Sequence, residues 1–245
     1  MLARRRIERG HTLPSVGTVA ATGIGALNEQ PLHAGLKAAY SQPGDRLEAP
    51  VGPYIVDILR GALIIEIQTR NVAAVRRKLI ALVEGHDVLL IVPIAIRTSV
   101  IRLGDGGIES ASRLSPRRGA VTDAFDELVS IARLIGHPRF ALELALVRVE
   151  EVRRPDARRG WRRHGWVTDH RRLAEVVEVV RIASARDLAA LLPQGMPDEF
   201  TTADLASALG RPRPLAQRMA YCLAMSGAVR SVGKTGNAIR YVVAH

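Results

Sequence analysis

Asp57 and Glu66 each interrupt a run of apolar residues, PYIVDIL and ALIIEIQT. A carboxylate without a compensating partner costs several kcal/mol in such a setting. Arg60 and Gly61 join the two runs at a spacing that suits a β-hairpin. Side chains alternate along a strand, so Glu66 and Gln68 share a face, and a tight hairpin brings Asp57 beside them on it. Two converging carboxylates repel one another, so such a pair either raises a pKa or binds a hard cation through oxygen. Magnesium, or manganese in its place, satisfies both. A structural ion pair is the other reading of the same residues.

The elements that must position these groups follow from hydrophobic spacing. Leu32, Leu36 and Ala39 fall on one face of a helix over 28–40, with Asn28 as its N-cap and Glu29 in its first turn. After the hairpin, Val72, Val75, Leu79, Leu82 and Val83 repeat at helical spacing to Glu84. VLLIVPIAI and SVIRL read as two further strands, followed by a basic loop carrying Arg113, Arg117 and Arg118. A helix is expected over 122–135, a strand at FALELALVRV and another at LAEVVEVVRI. Ser184 and Asp187 form a shortened capping signal for a helix ending at Pro193.

The spacing Asp57-x8-Glu66-x-Gln68 across a hairpin, after a helix bearing Glu29, resembles the PD-(D/E)XK nuclease superfamily. The order helix, two strands, helix, strand matches that core over roughly 27–103. The resemblance implies a phosphodiester hydrolase in which Asp57, Glu66 and a strand carbonyl hold Mg2+ (or Mn2+), with Glu29 contributing to the same site. Gln68 stands where such proteins usually carry lysine. A neutral amide can orient water but supplies no positive charge. Lys78, in the following helix, lies where some members present a migrated lysine, and Lys37 is a weaker candidate for the same role. Glu48 competes with Glu29 for the third acidic position. His33, one turn after Glu29, is read as a surface group rather than a reacting one.

The chain has 245 residues, with 35 Lys and Arg against 24 Asp and Glu, a net charge of +11. That excess favours a polyanionic partner, although an arginine-rich composition can raise the charge without any function, so its distribution matters more. No run reaches the roughly 18 apolar residues of a membrane-spanning helix. The single cysteine, Cys222, excludes an internal disulfide framework and a zinc ribbon, and points to a reducing, cytoplasmic setting. Residues 1–26 read as a disordered basic tail, an upstream extension rather than an export signal, because His11 and Pro14 break the apolar stretch. GKTGN lacks the upstream glycine of a phosphate loop, which argues against an ATP-driven motor.

Two further regions carry cations. Between Arg153 and Arg172 eight arginines are interleaved with Trp161 and Trp166. This loop or irregular arm could grip phosphates, with Arg162 and Arg163 beside a stacking Trp161. Alternatively, Glu150, Glu151, Asp156 and Asp169 neutralise part of it. Residues 195–245 resemble a winged helix-turn-helix: a short helix capped by Thr201 or Thr202, a second helix opened by Pro212 and closed by Gly227, and two strands. Leu215, Met219 and Leu223 would pack inward. Arg213, Gln217, Arg218 and Tyr221 would face a DNA groove, and Lys234 and Arg240 on the wing would contact phosphates.

The expectation is therefore an α/β protein. Residues 27–194 form a restriction-endonuclease-like mixed sheet flanked by helices, and 195–245 a small winged helix domain. The expected activity is metal-dependent hydrolysis of DNA. Its rival is a non-catalytic DNA-binding protein that keeps the nuclease-like fold. Expected partners are DNA, with RNA as the alternative, and a second copy of the chain in a homodimer where both strands are cut; no membrane is expected.

Overall fold

The computed structural model describes residues 30–104, 107–156 and 165–244. Helix α1 (Pro31–Tyr40) is followed by strands β1 (Arg46–Val51), β2 (Tyr54–Arg60) and β3 (Leu63–Ile67). A 3-10 turn (Val72–Val75) leads into α2 (Arg76–Val83). Strands β4 (Asp87–Leu103) and β5 (Glu109–Leu114) precede a helical segment, in which α3 (Phe125–Leu128) lies between 3-10 turns at Val121–Ala124 and Val129–Leu134. Strands β6 (Phe140–Pro155) and β7 (Trp166–Ile182) then lead to α4 (Ala185–Ala189), β8 (Glu199–Phe200), α5 (Thr202–Leu209), α6 (Arg213–Met225), β9 (Val229–Thr235) and β10 (Ala238–Val243).

This is a mixed α/β fold. The large sheet is seven-stranded, in the order β1-β2-β3-β4-β6-β7 with β5 also pairing β4. β1, β2 and β3 form an antiparallel meander, whereas β3 and β4 run parallel. A parallel pair needs a crossover, and α2 supplies it. β3 is buried from Ile64 to Ile67, as its nearly unbroken apolar run requires of a strand covered on both sides. At the far end of the order, β7 carries Arg171, Arg172, Glu175 and Glu178; charges of this kind deter pairing with another chain at an open edge.

The chain separates into two compact units that alternate along the sequence. The first holds α1, 93–120 and 145–180. Within it α1 approaches β7 closely at Gly35, where a Cβ would lie 2.9 Å from Leu173 Cβ. A side chain there would force the helix off the strand. Arg102 stacks its guanidinium 4.8 Å from the centre of the Trp166 ring. The second unit holds 46–92, 121–144 and 181–245. Its core comprises Val56, Ile58, Ile64 and Ile65 from the meander, Leu79 and Leu82 from α2, Phe125, Leu128 and Ile131, and Leu215, Met219 and Leu223 from α6, all buried.

Several elements differ from the sequence expectation. VLLIVPIAI and SVIRL are one strand of 17 residues, β4. The helix expected over 122–135 is broken into 3-10 and α pieces, because Phe125, Leu128, Ile131 and Leu134 recur at intervals of three, the period of a 3-10 turn. Arg113 lies in β5 rather than in a loop. The helix expected to run to Pro193 stops at Ala189, although its Ser184 cap forms, with Asp187 N–H donating to Ser184 Oγ at 3.2 Å. Asn28 lies outside the described residues, and Gln30 holds the N-cap position of α1. Among the described residues, no helix is long and apolar enough to cross a membrane.

Candidate functional site

The hairpin between β2 and β3 fixes the acidic pair. Arg60 pairs with Leu63 across a two-residue loop whose Gly61 takes φ +58, a conformation glycine adopts without steric cost. The register continues through Leu59↔Ile64 and Ile58↔Ile65. Asp57 therefore stands opposite Glu66, on the same face. Beyond Ile58 the ladder gives way, and Asp57 Oδ2 accepts the Ile67 N–H at 2.8 Å in its place. Gln68 N–H turns to Ile91 O on β4, at 2.9 Å.

Glu66 is only 4% exposed. Burial pushes its carboxyl up to about 7, Lys78 pulls it down and the neighbouring Asp57 charge pushes it up again. Lys78 Nζ lies 2.6 Å from Glu66 Oε1 and donates to Ile55 O at 2.5 Å. The Glu66 contact is an ion pair off the hydrogen-bonding line, so buried Oε1 has charge compensation without an aligned donor. The anchor for this lysine is α2, whose Leu79, Leu82 and Val83 are buried. The preceding 3-10 turn is held by Glu127 Oε2, which accepts the Val72 N–H at 2.9 Å.

Asp57, Glu66 and Lys78 thus come together. Gln68 is engaged next to them: its Nε2 donates to Arg70 O at 2.6 Å, bracing a turn in which Asn71 takes the left-handed conformation. Glu29 lies outside the described residues. Glu48 falls opposite Asp57 by the register of the flanking pairs Leu47↔Ile58 and Ala49↔Val56. It is exposed and has φ +47, an unusual value for a residue with a Cβ. Among the described residues, no three His, Cys, Asp or Glu side chains form a group that could hold a metal. A hard cation here would depend on two carboxylates together with carbonyl, water or substrate oxygens, the usual coordination of Mg2+.

In the C-terminal elements, α5 begins with a capping box in which Thr201 and Asp204 satisfy each other's backbone. The small sheet has the order β8-β10-β9. Leu215, Met219 and Leu223 of α6 are buried, and Arg213, Gln217, Arg218 and Tyr221 are exposed. Arg218 Nη1 pairs with Asp126 Oδ1 at 2.9 Å, and Arg211 pairs with Asp123. On the wing Lys234 is exposed, whereas Arg240 Nη1 pairs with Glu199 Oε2 at 2.7 Å. The acidic partners Asp123 and Asp126 were not singled out from the sequence, where only their spacing of three, on the segment opposite a basic helix, could have pointed to them.

Trp161, Arg162 and Arg163 lie outside the described residues. The flanks of their arm belong to β6 and β7, and the arginines there are matched by carboxylates. Glu151, 5% exposed, receives Arg153 and Arg171 at 2.7 Å each. Its carboxyl is lowered because those two guanidinium groups outweigh its burial. Arg172 bridges Glu150 and Glu109, and Arg154 reaches Asp169. The ion-pair reading of the arm therefore holds for these residues.

A mixed α/β protein with a large sheet flanked by helices and a buried acid–lysine cluster is the class these features define. The chain belongs to the family described as Domain of unknown function (DUF8091), whose model matches residues 30–183. That range contains Asp57, Glu66 and Lys78 and ends before α4. A protein of Treponema pallidum (strain Nichols), described as "Uncharacterized protein", is 28% identical over 186 residues, covering 75% of this chain and 73% of its own. No solved structure matches the chain.

Proposed function

We propose that this protein is a metal-dependent phosphodiesterase acting on DNA. The observation that carries the reading is that Asp57 and Glu66 oppose each other on one face of the hairpin with an ammonium group on Glu66. The element order around them supports it: one helix, a three-stranded antiparallel meander, a crossover helix and a strand parallel to the third. It contains the helix, two strands, helix, strand order expected of a restriction-endonuclease-like core, with β1 as a further strand ahead of the hairpin. The C-terminal order, with β8 pairing β10 and β10 pairing β9 around α5 and α6, likewise supports a winged helix that holds DNA.

Asp57 and Glu66 would hold Mg2+ or Mn2+; their hard carboxylate oxygens, facing one another across the hairpin, fit such an ion. When bound, the cation supplies Lewis acidity toward a phosphoryl oxygen. Without the cation, burial raises the Glu66 carboxyl to about 7, so taking up the ion near neutral pH would displace a proton from it. Lys78 supplies a fixed positive charge beside the carboxyl pair, where a phosphate would gather negative charge. Gln68 acts through the turn it braces, holding α2 and hence Lys78 in place. Incubating the full chain with plasmid, branched DNA and RNA, with and without Mg2+, tests the reading. Cleavage that needs Mg2+ and disappears in Asp57→Ala and Glu66→Ala is the expected result.

The Lys78–Glu66 contact favours a second reading, in which the pair is structural and the chain binds DNA without cutting it. Salt-sensitive DNA binding with no metal-dependent cleavage of any of the three substrates is what that reading requires.

A further inference from the structure

Several described arginines are matched by carboxylates: Arg148 by Glu175, Arg181 by Glu143, Arg211 by Asp123 and Arg218 by Asp126. One surface of the second unit brings together two that are not. An open groove is lined by Arg76 and Ile80 of α2, Val129 and Arg133 of the 3-10 segment, and Tyr221 of α6. No Asp or Glu lines it. Among the described residues, Arg76 and Arg133 make no ion pair, and both are exposed. Ile80 is 39% exposed and Tyr221 43%. Two uncompensated guanidinium groups thus flank an apolar floor with an accessible aromatic ring. Arg76 and Ile80 are four apart on α2 and share a face. Lys78, two residues from each, projects from the other side of the helix toward Glu66.

We infer that this groove binds single-stranded nucleic acid, with Arg76 and Arg133 on successive phosphates and a base stacked on Tyr221. Cations that track a backbone beside an aromatic platform are the combination by which unpaired strands are held without sequence preference. The inference goes beyond the hydrolase reading, since it requires neither Asp57 nor Glu66.

The test is fluorescence anisotropy of a fluorescein-labelled oligothymidylate of about 12 nucleotides with the full chain in EDTA, where metal-dependent cleavage is silent. The Arg76→Ala/Arg133→Ala double variant is expected to bind about tenfold or more weakly and to flatten the log K against log salt slope by about 1.4, the value for two single-strand phosphate contacts. Tyr221→Ala is expected to lose about tenfold, and Tyr221→Phe to bind as the parent does. Parental affinity in the double variant and in Tyr221→Ala, with unchanged thermal melting, would overturn the assignment. So would displacement of the oligonucleotide by polyglutamate of matched charge as effective as by unlabelled strand, which would mark the groove as a dock for an acidic protein segment. Failure of cleavage with these results intact would remove the hydrolase and leave the groove.

Discussion

Lys78 Nζ sits 2.6 Å from Glu66 Oε1, so the cation of α2 is set directly on the most deeply buried carboxyl of the meander. Desolvation of Glu66 is the larger effect, because its carboxyl remains raised, to about 7, despite the ammonium group beside it. Removing either partner disturbs the other, and the disturbance depends on pH.

Lys78→Met leaves Glu66 buried without its cation and pushes its carboxyl higher still. At pH 8 the substitution should cost about 2 kcal/mol, less than the 3–5 of a fully buried broken pair, because the freed carboxyl can take up a proton. At pH 5, where Glu66 is already protonated, the cost should be smaller. Urea unfolding at the two pH values checks the difference; equal losses would show that Lys78 acts through packing alone.

Glu66 also sets a sign for stability against pH. Its folded pKa is raised above the unfolded value of 4.5, so its favourable contribution is fully present below about 4.5 and is lost as pH rises through about 7. Glu66→Gln cannot ionise and should lack this slope. Relative to the parent, the variant should gain stability between pH 5 and pH 8, as read from denaturant midpoints across that range. A constant difference between the two proteins would contradict the raised pKa.

Much of this site was legible in the sequence. Charged residues inside apolar runs marked Asp57 and Glu66, and the spacing of the two runs fixed a hairpin whose alternation puts them on one face. The partner of Glu66 was legible only as a candidate, since helical periodicity places Lys78 on α2 but not the direction in which it reaches. The sequence reads β4 as two strands because the polar residues Arg97 and Thr98 interrupt its apolar pattern; the strand continues through them and Ser99–Leu103 pair with β5. The pairing of Arg211 and Arg218 with Asp123 and Asp126 joins residues about ninety positions apart, and no local periodicity reports such contacts.

That pairing leads to a third expectation. Arg218 and Asp126 are both well exposed, so Asp126→Asn should change stability by less than about 0.5 kcal/mol. It releases Arg218 from its carboxylate, and DNA binding at low salt should tighten about two- to fivefold through the added phosphate contact. Anisotropy titrations with a labelled duplex test this; unchanged affinity would place α6 outside the DNA-binding surface.

The central claim is that Asp57 and Glu66 together hold a divalent cation, and Mn2+ binding followed by electron paramagnetic resonance tests it most directly. One site per chain is expected at pH 8, weakening about tenfold per unit as pH falls below about 7 and Glu66 takes up its proton. Asp57→Asn and Glu66→Gln should each abolish that site while keeping a single cooperative melting transition. Absence of Mn2+ binding in the parent, or binding that survives in both variants, would contradict the account.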